Sequence, residues 1–180
     1  RTFTDPVPEN RKKQLAEAGI DHLSGTARFL DDSSIEVNEE VFHGDYFVLA
    51  TGQRPTILPV EGKQYLKTSA GLPAMPEDVV IIGGGYIAFE LATIANAAGS
   101  KVTIVHHNQR PLKEFEASLV EEAVHQMEAS GIQFAFDVET QKIISEGTRY
   151  RLVGKETELV ADMIFCATGR QPNTESLALE

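Results

Sequence analysis

The sequence predicts an α/β fold in three layers: a parallel sheet, helices laid on it, and a meander of antiparallel strands covering it. Three observations predict this. Val79-Val80-Ile81-Ile82 is continuous and apolar, as a parallel strand buried on both faces requires, and it breaks on Gly83-Gly84-Gly85 directly into a helical pattern. A second such strand, Lys101 to Val105, follows after Gly99, so Val79 to Val105 forms one strand-helix-strand unit of about 30 residues. The stretch from Val138 to Val160 consists of short alternating pieces broken by Gly147 and Gly154, the pattern of antiparallel hairpins.

Pro8 to Ala18 reads as a short helix, with Asn10 or Pro8 near its start and Gly19 closing it. Strands are expected at Asp21 to Phe29, Ser34 to Val37 and Asp45 to Ala50, separated by a turn at Asp31 to Ser34 and punctuated by Glu39-Glu40 and His43-Gly44. Thr51 to Pro55 ends the last of these. From there to Pro76, the residues Pro55, Pro59, Gly62, Gly71 and Pro73 mark a loop-like passage between domains. In the helix after the glycines, Ile87, Leu91, Ile94, Ala95 and Ala98 recur at helical spacing and predict the face that packs on the sheet, and Gly99 stops it. A second helix is expected from about Glu116 to Ala129, with Leu119, Val120, Ala123 and Met127 as its stripe and Gly131 as its stop. Ile132 to Phe136 supplies a third strand, and Met163 to Thr168 a further apolar one ended by Gly169 to Pro172.

The turn after the first strand carries the chemistry. Gly83 permits a tight strand-to-helix turn, Gly85 lets backbone approach a pyrophosphate, and Ala88 keeps helix and strand in contact at the third position. The helix then aims its free N–H groups, with Tyr86 and Ile87 first, and the positive end of its dipole at a diphosphate. Strand before, amphipathic helix after and second strand in place together imply a Rossmann-like dinucleotide site.

Bulk properties exclude several other classes. A net charge of −11 argues against nucleic acid or an anionic membrane surface as partner, since both demand a basic face. No run approaches the roughly 18 apolar residues of a membrane span. The opening Arg1-Thr2-Phe3-Thr4-Asp5-Pro6 is no secretory signal, so a cytoplasmic setting is expected. The single cysteine, Cys166, excludes an internal disulfide and a multi-cysteine metal cluster, and its apolar surroundings read as core. The chain opens without Met and in mid-pattern, so it is expected to be a piece of a longer protein.

Two stretches match one another: Tyr46-Phe-Val-Leu-Ala-Thr-Gly-Gln-Arg-Pro55 and Met163-Ile-Phe-Cys-Ala-Thr-Gly-Arg-Gln-Pro172. Each is an apolar strand ending in Ala-Thr-Gly, then a basic residue and a proline, as expected of the entry and exit of an inserted domain. With the motif Gly83 to Glu90 between them, the chain resembles the flavin-dependent pyridine nucleotide-disulfide oxidoreductases, glutathione reductase among them. The resemblance implies that residues 1–52 are the trailing part of a first FAD-domain segment, 53–172 an inserted NAD(P)-binding domain, and 173–180 the start of the return into the FAD domain. It also implies an NADPH-dependent flavoprotein, a small-molecule disulfide substrate, and a homodimer formed through a C-terminal domain outside this chain. No catalytic residue falls within these 180 residues, so the piece alone is expected to be inactive. A stand-alone dinucleotide-binding module is the alternative, as is part of an NADH oxidase or coenzyme A-disulfide reductase. No metal site is expected.

The resemblance also points to residues around the cofactors. An NAD-type site places a carboxylate at the end of the second strand, about 20 residues after the glycines. Here that end reads Val105-His106-His107-Asn108-Gln109-Arg110-Pro111-Leu112-Lys113, with no acid before Glu114. His106, Arg110 and Lys113 are therefore expected around the 2′-phosphate of NADP, with a bound phosphate raising the pKa of His106. Histidine stands where glutathione reductases carry a first arginine, which leaves NAD open. Tyr86 is expected to cover the flavin where nicotinamide stacks, Glu90 to lie near the nicotinamide, and Gly169 and Arg170 on the pyrophosphate or nicotinamide side. Thr51 and Gly52 would form an edge of the FAD site. His22, His43 and His125 are assigned no role.

Overall fold

The computed structural model describes residues 4–71 and 74–179, and the chain divides into two compact units, Arg1–Gly52 with Asn173–Glu180, and Gln53–Pro172. Leu72 and Pro73, in the stretch read as loop, lie outside the described residues.

In the first unit, helix α1 (Val7–Glu17) takes Pro8 into its first turn, where a missing N–H costs nothing. It ends on Gly19 at φ 72, whose N–H donates to the Ala16 carbonyl while that of Ile20 reaches Leu15. Three short strands follow: β1 (Ala27–Asp31), β2 (Ser34–Val37) and β3 (Glu40–His43), antiparallel in that order. The strand expected over Asp21 to Phe29 starts only at Ala27. Glu40 to His43, read as punctuation, is a strand because Asn38 and Glu39 both take positive φ, 53 and 69, and make a two-residue hairpin turn that matches strand twist. The strand expected over Asp45 to Ala50 does not form. Tyr46 and Val48 are 93% and 91% exposed, and Phe47 packs its ring edge-on against Phe29 at 4.9 Å. An apolar strand needs a neighbour to take its N–H and C=O groups, and none pairs with this segment among the described residues. The 173–180 segment joins this unit through Asn173, whose N–H donates to the Gly52 carbonyl at 3.0 Å and whose side-chain amide donates to Thr51 at 3.1 Å.

The second unit begins with β4 (Gln53–Pro55), where a loop was expected. Next come β5 (Asp78–Ile82), α2 (Tyr86–Ala97), β6 (Lys101–Val105), α3 (Ala117–Ala129) and β7 (Gln133–Ala135). The meander follows as β8 (Thr140–Glu146), β9 (Arg149–Gly154) and β10 (Glu158–Ala161), and the chain returns in β11 (Met163–Cys166) and β12 (Arg170–Pro172). The parallel sheet has the order β11, β5, β6, β7, so consecutive crossovers run one way from β5 and the last returns to its other side. β4 gains its partner from the far end of the unit, pairing antiparallel with β12 so that Arg170 faces Pro55 and Pro172 faces Gln53.

Strand alternation assigns the two faces. Val79, Ile81, Val102, Ile104 and Phe165 pack with Ala88, Leu91, Ala92 and Ala95 of α2, and with Val124 and Met127 of α3. Val80, Ile82, Val105, Ile164 and Cys166 pack with Ile143, Leu152 and Ala161 of the meander. The helical stripes are met in part: Leu91, Ala95 and Val120 are buried as expected, whereas Ile94 of α2 is 50% exposed and Leu119 of α3 is 69% exposed, and Phe89 and Ala92 are buried beside Ala88 instead. Small residues hold the inner face of α2 because the helix lies close on the strands. Both helices end as α1 does, with Gly99 and Gly131 at φ 95 and 101.

Arg149 of β9 fastens the meander to the amino-terminal edge of the sheet. Its guanidinium lies 2.5 Å from the Asp78 carboxylate and 3.1 Å from that of Asp162, which also accepts the Asp78 N–H at 3.0 Å. All three side chains are partly exposed, so the expected effect is modest. Arg149→Met leaves two facing carboxylates and should lower stability by about 1–2 kcal/mol, read as a lower urea midpoint with unchanged slope.

Candidate functional site

The carboxyl ends of β5, β6 and β11 converge where the strand order reverses, the position at which open α/β sheets hold ligands. Gly83 makes the convergence possible. It sits at φ 136, its N–H donates to the Val105 carbonyl at 2.8 Å, and a Cβ there would fall 2.3 Å from the Ala167 carbonyl oxygen. Gly84 is equally confined, since a Cβ would lie 2.6 Å from the His106 ring. Its carbonyl accepts the Leu112 N–H at 2.7 Å, which brings the loop after β6 against the turn.

Gly85 differs from both. Its φ of −92° and ψ of 175° suit any residue, it is exposed, and no atom lies within 4 Å of the Cβ position. α2 opens there without a side-chain cap, so the N–H groups of Tyr86 and Ile87 begin the helix with no acceptor of their own. Ala88, fully buried, seats the helix on the sheet.

Two cavities flank this turn. One, of about 240 Å³, lies at the end of β6 and is lined by Gly85, Tyr86, His106, His107 and Lys113. The other, of about 300 Å³, brings Tyr86, Ile87 and Glu90 together with Ser69 and Arg170. A larger space of about 690 Å³ opens toward the meander between Gly83, Val105, His107, Val138 and Thr168. Tyr86, 58% exposed, stands between the first two.

The expected site residues are thus partly gathered and partly separated. Tyr86, Ile87, Glu90 and Arg170 meet on one side, where the Arg170 guanidinium also donates to the Gln53 carbonyl at 2.6 Å. Gly169, at φ 127, accepts the Thr56 N–H on its carbonyl and leads into β12. Lys113 reaches the β6 end with its ammonium 3.7 Å from Glu114. Arg110 does not join it. Its guanidinium donates to the Phe115 carbonyl, and it lines a separate space of about 290 Å³ against α3 with Pro111 and Val120. Thr51 and Gly52 belong to the first unit, with their carbonyls bound by Asn173.

His106 is placed otherwise than an exposed cation would be. It is 8% exposed, its Nε2 lies 3.3 Å from the Arg110 carbonyl, and its Nδ1 is buried without a partner. Burial, and then the charge of His107, hold its pKa below the usual histidine range. Residue alternation explains the placement: His106 shares the helix-side parity of Val102 and Ile104, while His107 shares that of Val105 and opens on the cavities. The sequence reading omitted Gly84 and His107, although strand parity already distinguished the two histidines. Cys166 is buried, with its sulfur 3.4 Å from the Thr56 carbonyl oxygen. No group of three candidate ligands for a metal occurs among the described residues, and none of their helices is long and apolar enough to cross a membrane.

Comparison with known proteins gives a consistent family. The chain is 34% identical over 172 residues to a glutathione reductase of Nostoc sp., covering 92% of this chain and 38% of the relative. It is 31% identical over 175 residues to a mercuric reductase of Staphylococcus aureus, covering 92% of this chain and 32% of that protein. Among solved structures, the HOCl-induced flavoprotein disulfide reductase RclA from Escherichia coli superposes with a TM-score of 0.83 at 25% identity, over 94% of this chain and 41% of its own. The chain therefore spans about a third of the length of these curated relatives. The profile of the pyridine nucleotide-disulphide oxidoreductases matches residues 4–180, and the chain belongs to that family.

Proposed function

We propose that Gln53–Pro172 is the nicotinamide-dinucleotide domain of a flavoprotein disulfide reductase and that it holds NADPH for hydride transfer to FAD. The observation that carries this reading is Gly85. No fold requirement explains a glycine there, and the open space over it, at the uncapped start of α2, suits a pyrophosphate. Gly83 and Ala88 shape the turn, and the N–H groups of Tyr86 and Ile87 point toward the phosphates. Tyr86, Glu90 and Arg170 form the nicotinamide side. At the ribose end, Lys113 supplies a cation beside His107, and the loop from His106 to Lys113 carries no carboxylate of its own, which favours the 2′-phosphate of NADPH over NADH. The chain's net charge of −11 makes such local cations necessary for an anionic ligand.

In the whole protein a bound dinucleotide would supply a hydride for FAD, and the cysteine pair that would receive the electrons lies outside this single-cysteine chain. Arg1–Gly52 and Asn173–Glu180 are proposed as pieces of the FAD domain, with Thr51 and Gly52 at the edge of its site. The unpaired apolar segment from Tyr46 to Ala50 supports this, because it has the composition of a strand awaiting sheet neighbours. A homodimer, a small disulfide as acceptor and a cytoplasmic setting complete the proposal.

Fluorescence titration with NADPH and NADH tests it. Gly85→Ala should leave the melting temperature unchanged and weaken both dinucleotides at least about ten-fold, because the new methyl occupies the space for phosphate. Unchanged affinity would sink the phosphate assignment. Lys113→Gln should weaken NADPH about ten-fold and NADH less than about two-fold, the loss of one charge-assisted contact. An equal loss for both would remove Lys113 from the 2′ site.

A further inference from the structure

The environment of His106 points to a role distinct from phosphate binding, one that rests on the dinucleotide reading above. Its ring fills the space that a side chain on Gly84 would take, with ring atoms 2.6 Å from that Cβ position. Its Nε2 faces the Arg110 carbonyl at 3.3 Å, so the tautomer carrying hydrogen on Nε2 donates there. Nδ1 is then a bare acceptor, buried, with no group beside it to accept from a second proton. On the other side of the same loop, the Leu112 N–H donates to the Gly84 carbonyl at 2.7 Å, with Leu112 held at φ 46, a conformation that leucine seldom adopts. Gly84 is thus gripped between the first residue of the loop and its sixth following one.

We propose that His106 is a positioning residue: its neutral Nε2–H ties the Arg110 carbonyl, keeps the 106–113 loop and the glycine turn in one geometry for the ribose end of the dinucleotide, and makes no contact with the ribose 2′ substituent. The charged or titratable groups around it are few. His107 follows it with rings 4.7 Å apart, Asp137 acts from the connection between β7 and β8, and Lys113 and Glu114 line the adjoining cavity. The glycine turn carries none. Burial and His107 favour the neutral ring over the smaller opposing effects of the Arg110 carbonyl and Asp137. Because the folded-state pKa lies below the ordinary histidine value, the neutral ring prevails at neutral pH and gains its second proton only as the pH falls through that lower value. The added proton lands on Nδ1, where nothing receives it.

NADH, which lacks the 2′-phosphate, isolates this effect. The full chain is titrated with NADH and NADPH at about pH 8, where His106 is neutral. His106→Gln places an amide donor near the Arg110 carbonyl and should bind NADH within about three-fold of the native chain. His106→Phe fills the space under Gly84 but donates nothing, and should weaken NADH and NADPH by the same factor, about ten-fold. His106→Gln binding as weakly as His106→Phe overturns the proposal, and so does His106→Phe weakening NADPH alone, which would make His106 a phosphate ligand after all. If His106→Phe does not fold, the NADH affinity of His106→Gln decides by itself, and a loss of about ten-fold overturns the proposal. A native chain that binds neither dinucleotide overturns the proposed function and this role with it, whereas the other adverse outcomes remove only the role of His106.

Discussion

The approach of three strand ends at Gly83 is the constraint on which the rest of the second unit depends. Val105 accepts its N–H, and Ala167 stands where a side chain would have been, so β6 and β11 close on either side of β5 only because the residue between them has none. That closure brings the helix start, the loop after β6 and the Ala167 to Arg170 segment around one opening. A Cβ at this position would meet backbone, which has nowhere to go, and φ 136 excludes most other residues independently. Gly84 extends the same logic one residue further, where the obstruction is the His106 ring instead of backbone.

A sheet buried on both faces then needs two different covers. The helices supply one, and the close seat of α2 over Val79, Ile81 and Ile104 explains why its inner face is alanine-rich. The meander supplies the other, through Ile143, Leu152 and Ala161 over Val80, Ile82 and Ile164. Fully burying side chains such as Ile81, Ile104, Leu152 and Phe165 contributes roughly 1.5–3 kcal/mol each before entropy is counted, so apolar packing outweighs the half-exposed Arg149 cluster. The cluster instead fixes where the meander sits, since its two carboxylates lie at the entries of β5 and β11.

The repeated Ala-Thr-Gly motif has a local consequence of its own. The three residues after each copy, Gln53 to Pro55 and Arg170 to Pro172, pair with one another as β4 and β12, and the unit boundary falls immediately outside both. Proline at the ends of this pair sacrifices no interior ladder bond, since an edge strand of three residues has few to give. Arg170 is drawn toward the Gln53 carbonyl by the same pairing, which places its side chain along the cavity shared with Tyr86 and Glu90.

Local sequence was enough to specify the parallel strands, the helices and their glycine stops, the meander and the tight glycine turn, because each is written in local periodicity or in a residue with a special backbone. It did not determine which face of each helix packs: Ile94 and Leu119 read as core and stand exposed, since the apolar arc was wider than the contact the sheet offers. Nor did it determine that Tyr46 to Ala50 would lack partners, that β3 would form instead, or that β4 would pair across 115 residues with β12, because pairing is decided by what lies alongside and not by propensity. At the site, the tight turn at Gly83 and the seating of Ala88 on the sheet were legible, whereas the confinement of Gly84 by the His106 ring was not. Nor were the roles of the basic loop. Charge count treated His106, Arg110 and Lys113 alike, whereas tertiary structure turned Arg110 toward Phe115, buried His106 beneath Gly84 and left Lys113 with His107 at the opening. Composition fixes how many charges a loop carries, but only packing decides which of them keep their water and which must give up their proton.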